Sequence, residues 1–262
     1  AIALNSTIFN GARILGPAVA GALVAIVGVG WCFFLNGVSF LAVIAGLLFM
    51  RFPKSRTVAR QESVWANLAE GLKYIVRSPT VLTLESLVAV ASLFGMPYSR
   101  LMPVFAKDVL QVGAHGYGFL FSATGSGALM GALLLASLGN FQRKGWLVTA
   151  GNLLYPVMLL AFSFSRWFPL SLVFLVGVGF SMITQNATTN TLLQTTVPDH
   201  LRGRVMSVHS IFFGGLAPFG DVLAGTVASF SSAPTAVGLD AAIALSYSLF
   251  VLLRLPQVRR LS

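Results

Sequence analysis

The stretch Asn10-Gly11-Ala12-Arg13-Ile14-Leu15-Gly16-Pro17-Ala18-Val19-Ala20-Gly21 sets one arginine and a Gly-Pro step inside an apolar run. Gly11, Gly16, Ala20 and Gly21 recur near helical spacings, so a neighbouring backbone can come close, while Pro17 removes a donor and bends the helix. Arg13 in such a helix is costly in hydrocarbon and is a functional hypothesis by default. A helix that seals or gates a cavity fits the pattern. So does an ordinary membrane helix, in which Gly and Pro are common.

Outward from this stretch the whole chain reads the same way. Hydrophobic residues make up 56% and charged residues only 9%, with a mean hydropathy of +0.84. Those values belong to polytopic membrane proteins, since no soluble core needs so much apolar surface. Eight stretches are long enough, at ~20 residues, to cross ~30 Å of hydrocarbon. They run near Thr7 to Val29, Trp31 to Met50, Val81 to Ala106, Tyr117 to Leu138, Trp146 to Phe164, Leu170 to Leu193, Val205 to Phe230 and Thr235 to Leu255.

Lysine and arginine are retained on the cytoplasmic side of short loops. With both chain ends inside, the outer ends keep only Arg100, Lys107 and Arg166, and the remaining loop cations, among them Arg143, Lys144, Arg202 and Arg204, fall inside. Orientation therefore accounts for the net charge of +10. Nucleic acid is not an expected partner, because the cations are scattered over alternate loops instead of gathered on one face with stacking aromatics. Cys32 is the single cysteine, so no internal disulfide forms, and no Cys and His cluster offers metal-ligand spacing. His115, His200 and His209 read as loop, loop and helix-start residues at a surface or interface. No metal and no cofactor is expected.

Gly16-Pro17-Ala18-Val19-Ala20-Gly21 can be laid over Gly220-Asp221-Val222-Leu223-Ala224-Gly225, each preceded by an Ile-Phe pair, Ile8-Phe9 and Ile211-Phe212. The shared positions are few and small. Their spacing nevertheless suits two six-helix halves related by a parallel repeat, with the two stretches in equivalent helices. On that count four helices precede Ala1 in a longer protein, an expectation that the absence of a charged leader and an initiator methionine also suggests.

Several motifs carry a family resemblance. The Gly-Pro stretch resembles the signature in the fifth helix of major facilitator antiporters, with Ala20-Gly21 where that signature has a glycine pair. Leu4-Asn5-Ser6-Thr7-Ile8-Phe9-Asn10 leads into it, and Trp31-Cys32-Phe33-Phe34-Leu35-Asn36-Gly37 opens the next helix. Leu93-Phe94-Gly95-Met96-Pro97-Tyr98 and Leu101-Met102-Pro103-Val104-Phe105-Ala106 occupy the seventh, and Pro198-Asp199-His200-Leu201-Arg202-Gly203-Arg204-Val205-Met206-Ser207 precedes the eleventh. Together they resemble helices five to twelve of a major facilitator superfamily transporter of the drug-proton antiporter and enterobactin-exporter branch. The resemblance implies an all-α integral membrane fold of two six-helix bundles, eight of whose spans are present. It also implies a multi-pass protein of the bacterial cytoplasmic membrane, monomeric and with a cytoplasmic C-terminus. Efflux of small amphipathic molecules by alternating access, driven by protons, is the implied activity, with the Gly-Pro helix (Arg13, Gly16, Pro17, Gly21) as the antiporter element.

The expected organisation is residues 1–50 as the last two helices of an N-terminal bundle, 51–79 as a cytoplasmic linker and 80–262 as a C-terminal six-helix bundle. Within the linker Val64, Leu68, Leu72, Ile75 and Val76 share one helical face, with Trp65 and Tyr74 placed for lipid headgroups. A linker helix packed on protein is the alternative. The resemblance implies that the loop from Pro198 to Arg204 is a gate, with Asp199, Arg202, Gly203 and Arg204 its expected elements; Arg202 and Arg204 would pair with Asp199 or with the preceding half. Residues 139–145 would form a second gate loop, though without an acidic residue.

Proton coupling needs a titrating group that alternately faces two sides. Only Glu85, Asp221 and Asp240 fall inside expected spans. Asp221 is the deepest by position, whereas Glu85 and Asp240 lie nearer helix starts where water reaches. Phe94, Met96, Tyr98, Asn186, Asn190 and Gln194 are the expected substrate-cavity residues. The amides at 186, 190 and 194 form a polar helical stripe that has to face protein or water. Interhelical hydrogen bonding explains the stripe equally well. An importer or proton symporter of the same fold is the main rival. An intramembrane enzyme lacks any H-E-x-x-H, G-x-S-x-G or P-loop motif, and a channel lacks a selectivity ring.

Overall fold

A computed structural model of the chain describes residues 30–49, 63–138 and 144–254. Seven helices among them are long and apolar enough to cross a membrane. The first, α1 (Gly30–Phe49), has no buried residue. The stretch from Thr7 to Val29, and with it Arg13, Gly16, Pro17 and Gly21, lies outside the described residues, as do residues 139–143 of the second expected gate loop.

The short helix α2 (Val64–Arg77) precedes six spans. The first span, Pro79–Val109, is not one continuous α-helix. It runs as α3 (Pro79–Val90), a π turn (Ala91–Gly95), α4 (Tyr98–Val104) and a second π turn (Phe105–Val109). Pro97 and Pro103 each lack an amide proton, which loosens the hydrogen-bond ladder on this side of the bundle. Next come α5 (Gly113–Leu138), α6 (Lys144–Phe164) and α7 (Phe168–Thr196). The fifth span of this group, Asp199–Phe230, is broken like the first: α8 (Asp199–Ser210), a π turn (Ile211–Gly215) and α9 (Ala217–Phe230). The last is α10 (Ala233–Arg254).

Glycines decide how closely the spans approach. A Cβ on Gly127 or Gly131 of α5 would run into the carbonyls of Val176 and Phe180 on α7, and one on Gly179 of α7 would meet the carbonyl of Thr124. These two helices therefore lie backbone to backbone, a contact that small residues permit and lipid solvation does not oppose. One apolar cluster, around Tyr98, Met102, Phe105, Leu120, Tyr155 and Phe162, fills one end of the bundle. A second, around Ile75, Val81, Leu84, Leu192, Val205 and Val251, fills the other and draws α2 against α8.

The linker helix splits its expected apolar face in two. Ile75 is buried and Leu68 partly so, whereas Leu72, Val76 and Trp65 stay exposed, Trp65 at 80%. The cause is Gly71, whose missing side chain lets the backbone of Arg204 come within 2.6 Å of where a Cβ would stand. The helix docks on protein through its Gly71–Ile75 edge and keeps the neighbouring apolar strip outward.

Two expectations are corrected here. The segment from Pro198 to Arg204 is not a loop: the helix begins at Asp199, with Pro198 capping it in extended conformation and Asp199 in the acid-favouring first turn. His209, expected at a surface or interface, sits in the last turn of α8 and is only 4% exposed.

Candidate functional site

The N-terminal halves of the two broken spans meet at a buried carboxyl–imidazole contact. Glu85 lies on α3, about 9 Å along the axis from Pro79, and His209 on α8, about 15 Å from Asp199, at 1.5 Å per residue. His209 Nδ1 is 3.3 Å from Glu85 Oε2. Glu85 is 0% exposed, and its other oxygen, Oε1, has no hydrogen-bond partner. The position near a helix start suggests a wetted carboxylate; the structure instead closes α2, α8 and α10 around that level of α3.

Directly beyond this pair the helices change pitch. The π turn Ala91–Gly95 follows α3 and the π turn Ile211–Gly215 follows α8, and Ser92 Oγ donates to the carbonyl of Phe213 at 2.9 Å. Further along, a Cβ on Gly220 of α9 would strike the backbone of Leu93 in the first π turn, so α9 packs closely against that turn. π turns are rare and are frequent at functional sites.

Beside the π turns lie two adjoining cavities. The larger, about 580 Å³, is lined by Met96, Thr124, Met182, Asn186, Asn190, His209 and Phe213 among others. The smaller, about 30 Å³, adds Ser92, Asn152, Tyr155, Gln185 and Thr189. It has room for a water molecule or two. Gln185 Oε1 and Thr188 Oγ1 are buried on α7 without a hydrogen-bond partner. The larger volume falls within the range of small-molecule pockets and pairs apolar walls with two amides, two hydroxyls and an imidazole.

The structure distributes the expected cavity residues unevenly. Met96, Asn186 and Asn190 line the larger cavity. Tyr98 is buried in the apolar cluster with Met102 and Phe105. Phe94 is half-buried and lines neither cavity, and Gln194 is exposed, its amide donating to Asn190 Oδ1. The buried polar face of α7 is Ser181, Thr184, Gln185, Thr188 and Thr189, one step round the helix from the expected amide stripe.

Asp221 is not the deepest acid. Because the helix starts at Asp199 and not Val205, Asp221 stands about 33 Å along its span. There it pairs with Arg100 at 3.4 Å, the side chains 26% and 77% exposed. Asp240 is half-buried on α10, with Oδ2 enclosed and unpartnered. Around the former gate segment, Arg202 bonds Asp199 at 2.6 Å one helical turn away, while Arg204 reaches Glu70 at 2.5 Å and Asn67 Oδ1 at 2.9 Å on α2. Gly203 faces open space. No group of three or more potential metal ligands occurs among the described residues.

Comparison with known proteins bears on all of this. The chain matches the model of the transmembrane secretion effector family over residues 1–261. It is 29% identical over 263 residues to the multidrug efflux pump Tap of Mycolicibacterium fortuitum, covering 97% of this chain and 62% of the relative. With Tap of Mycobacterium tuberculosis it shares 27% over 258 residues, 97% of this chain and 61% of the relative. With the enterobactin exporter EntS of Escherichia coli it shares 27% over 195 residues, 73% and 45%. The chain thus spans about 62% of the length of the first of these relatives. A multi-pass membrane protein whose described residues are nearly all helical, it belongs to the transmembrane secretion effector family of the major facilitator superfamily.

Proposed function

We propose that the protein is a secondary carrier that exports small amphipathic molecules in exchange for protons, by alternating access. The observation that carries this reading is the 580 Å³ cavity between spans, walled by methionine and phenylalanine and edged by Asn186, Asn190 and His209. Such a site holds a flexible apolar body and fixes it with few polar contacts. Export is supported by the relatives, two of which are named as multidrug pumps and one as a siderophore exporter. A carrier rather than an enzyme also agrees with the relatives, which are named as efflux pumps and an exporter.

On this reading the protein works as a monomer in the bacterial inner membrane, with the C-terminus, the linker helix and the Arg202 turn in the cytoplasm. Residues 80–262 would belong to the C-terminal bundle, and Arg204 of α8 is held to α2 through Glu70 and Asn67. The Gly-Pro helix carrying Arg13, Gly16, Pro17 and Gly21 would face the bundle from the other half. Everted vesicles holding the full-length protein test the proposal with the amphipathic fluorophore ethidium. Uptake that collapses when nigericin abolishes the pH gradient is the expected result; uptake indifferent to the gradient, or movement only in the opposite sense, overturns proton-driven export. Accessibility tags add a topological test, since the Arg143 and Arg202 turns have to lie on one side.

A further inference from the structure

We propose that the buried Glu85–His209 pair is the proton-carrying group of the cycle, loaded from the cavity through the imidazole and read out by the two π turns that follow it. The inference rests on the transport reading above and assigns its coupling site. His209 lines the 580 Å³ cavity, whereas Glu85 lies behind it and touches neither cavity. A proton from cavity water therefore meets the imidazole first and passes through it to Glu85 Oε2, 3.3 Å from Nδ1. Loaded, the pair is neutral overall. Unloaded, it leaves a buried carboxylate whose other oxygen, Oε1, already has no hydrogen-bond partner among the described residues.

The surroundings contain little that could substitute. Among the elements packed on α3 and α8, the helix α7 and the π turns Ala91–Gly95 and Ile211–Gly215 have no titratable residue. From α2, Tyr74 packs against the same apolar cluster, Glu70 is held by Arg204, and Lys73 and Arg77 are exposed. From α10, the Tyr247 hydroxyl donates to Ser86 Oγ at 2.7 Å, Arg254 is exposed at the helix end, and Asp240 lies about two turns before Tyr247. On α8 itself, Asp199 pairs with Arg202, Arg204 with Glu70, and His200 is exposed. A lone buried carboxylate is expensive to leave unpaired, so loss of the proton favours opening of the α3–α8 contact to water.

The π turns give that opening somewhere to go. They begin six residues after Glu85 and two after His209, and the turn at Ile211–Gly215 contains no buried residue. A Cβ on Gly214 would meet nothing within 4 Å. Ser92 and Phe213 tie the two turns together, so a change in pitch in one is felt in the other.

Everted vesicles of the full-length protein, with ethidium as probe, test the assignment through E85Q and H209Q. Gradient-driven uptake falls roughly tenfold or more in both, while in E85Q, whose side chain lines neither cavity, ethidium–ethidium exchange, which needs no net proton movement, stays near wild type. Gradient sensitivity unchanged in both variants, or exchange lost along with uptake in E85Q, overturns the pair. A wild-type protein insensitive to the gradient instead defeats the transport reading itself. Should a variant fail to fold, the pH-difference infrared spectrum of the wild type decides. It is expected to contain a titrating carboxylic C=O band that shifts on ¹³C-glutamate labelling; lack of that band overturns the proposal.

Discussion

The same two spans are joined by two side-chain pairs of very different character. Toward one end Glu85 and His209 face each other without solvent, and toward the other Arg100 and Asp221 sit 3.4 Å apart with the arginine 77% exposed. Both pairs put opposite or potentially opposite charges in reach. Burial alone separates them, and burial sets what each can do. An exposed pair gains little over hydration and is screened, whereas a buried one cannot lose a partner cheaply. Position along the helix is a poor guide to this, since Asp221 lies farther from its helix start than Glu85 does from its own.

Four substitutions in the full-length protein, each followed by thermal unfolding in detergent, probe that contrast. His209→Ala leaves the buried Glu85 carboxyl without its partner and is expected to cost about 3–5 kcal/mol; a loss under about 1 kcal/mol would mean the carboxyl finds water and the contact is not closed. Gly220→Val drives a side chain into the Leu93 backbone where the spans touch, at an expected cost of about 1–3 kcal/mol. A neutral outcome there would show that the two spans separate freely. Ser92→Ala removes the bond to the Phe213 carbonyl, for about 0.5–1.5 kcal/mol. Smallest is Asp221→Asn, expected to cost about 0.2–1 kcal/mol and to fade further in high salt. An Asp221 effect equal to that of His209 would erase the distinction between the pairs.

The spans were legible because length and unbroken hydropathy are local properties. Each described one coincides with an expected stretch to within a few residues, except that the fifth of the bundle starts six residues early, at Asp199 and not Val205. Pro198-Asp199 serves a loop and a helix start equally well, and three charges in the next turns weigh toward loop until α2 is seen to receive Arg204. The Glu85–His209 pair was out of reach for another reason. Its members are 124 positions apart, and no spacing rule joins a carboxylate in one span to an imidazole in another. The amide stripe was half legible: Asn186 and Asn190 do line the cavity, but helix rotation against α5 and α6 buries Gln185, Thr188 and Thr189 instead of Gln194. The Gly-Pro helix falls outside the described residues.

The glycine contacts between α5 and α7 have one more consequence. With carbonyls of each helix seated in the other's side-chain gaps at Gly127, Gly131 and Gly179, neither rod can slide or roll without a collision. Probe separations measured across this plank should hold constant whatever the rest of the bundle does, which makes it the natural fixed ruler for gauging displacement at the hinged spans.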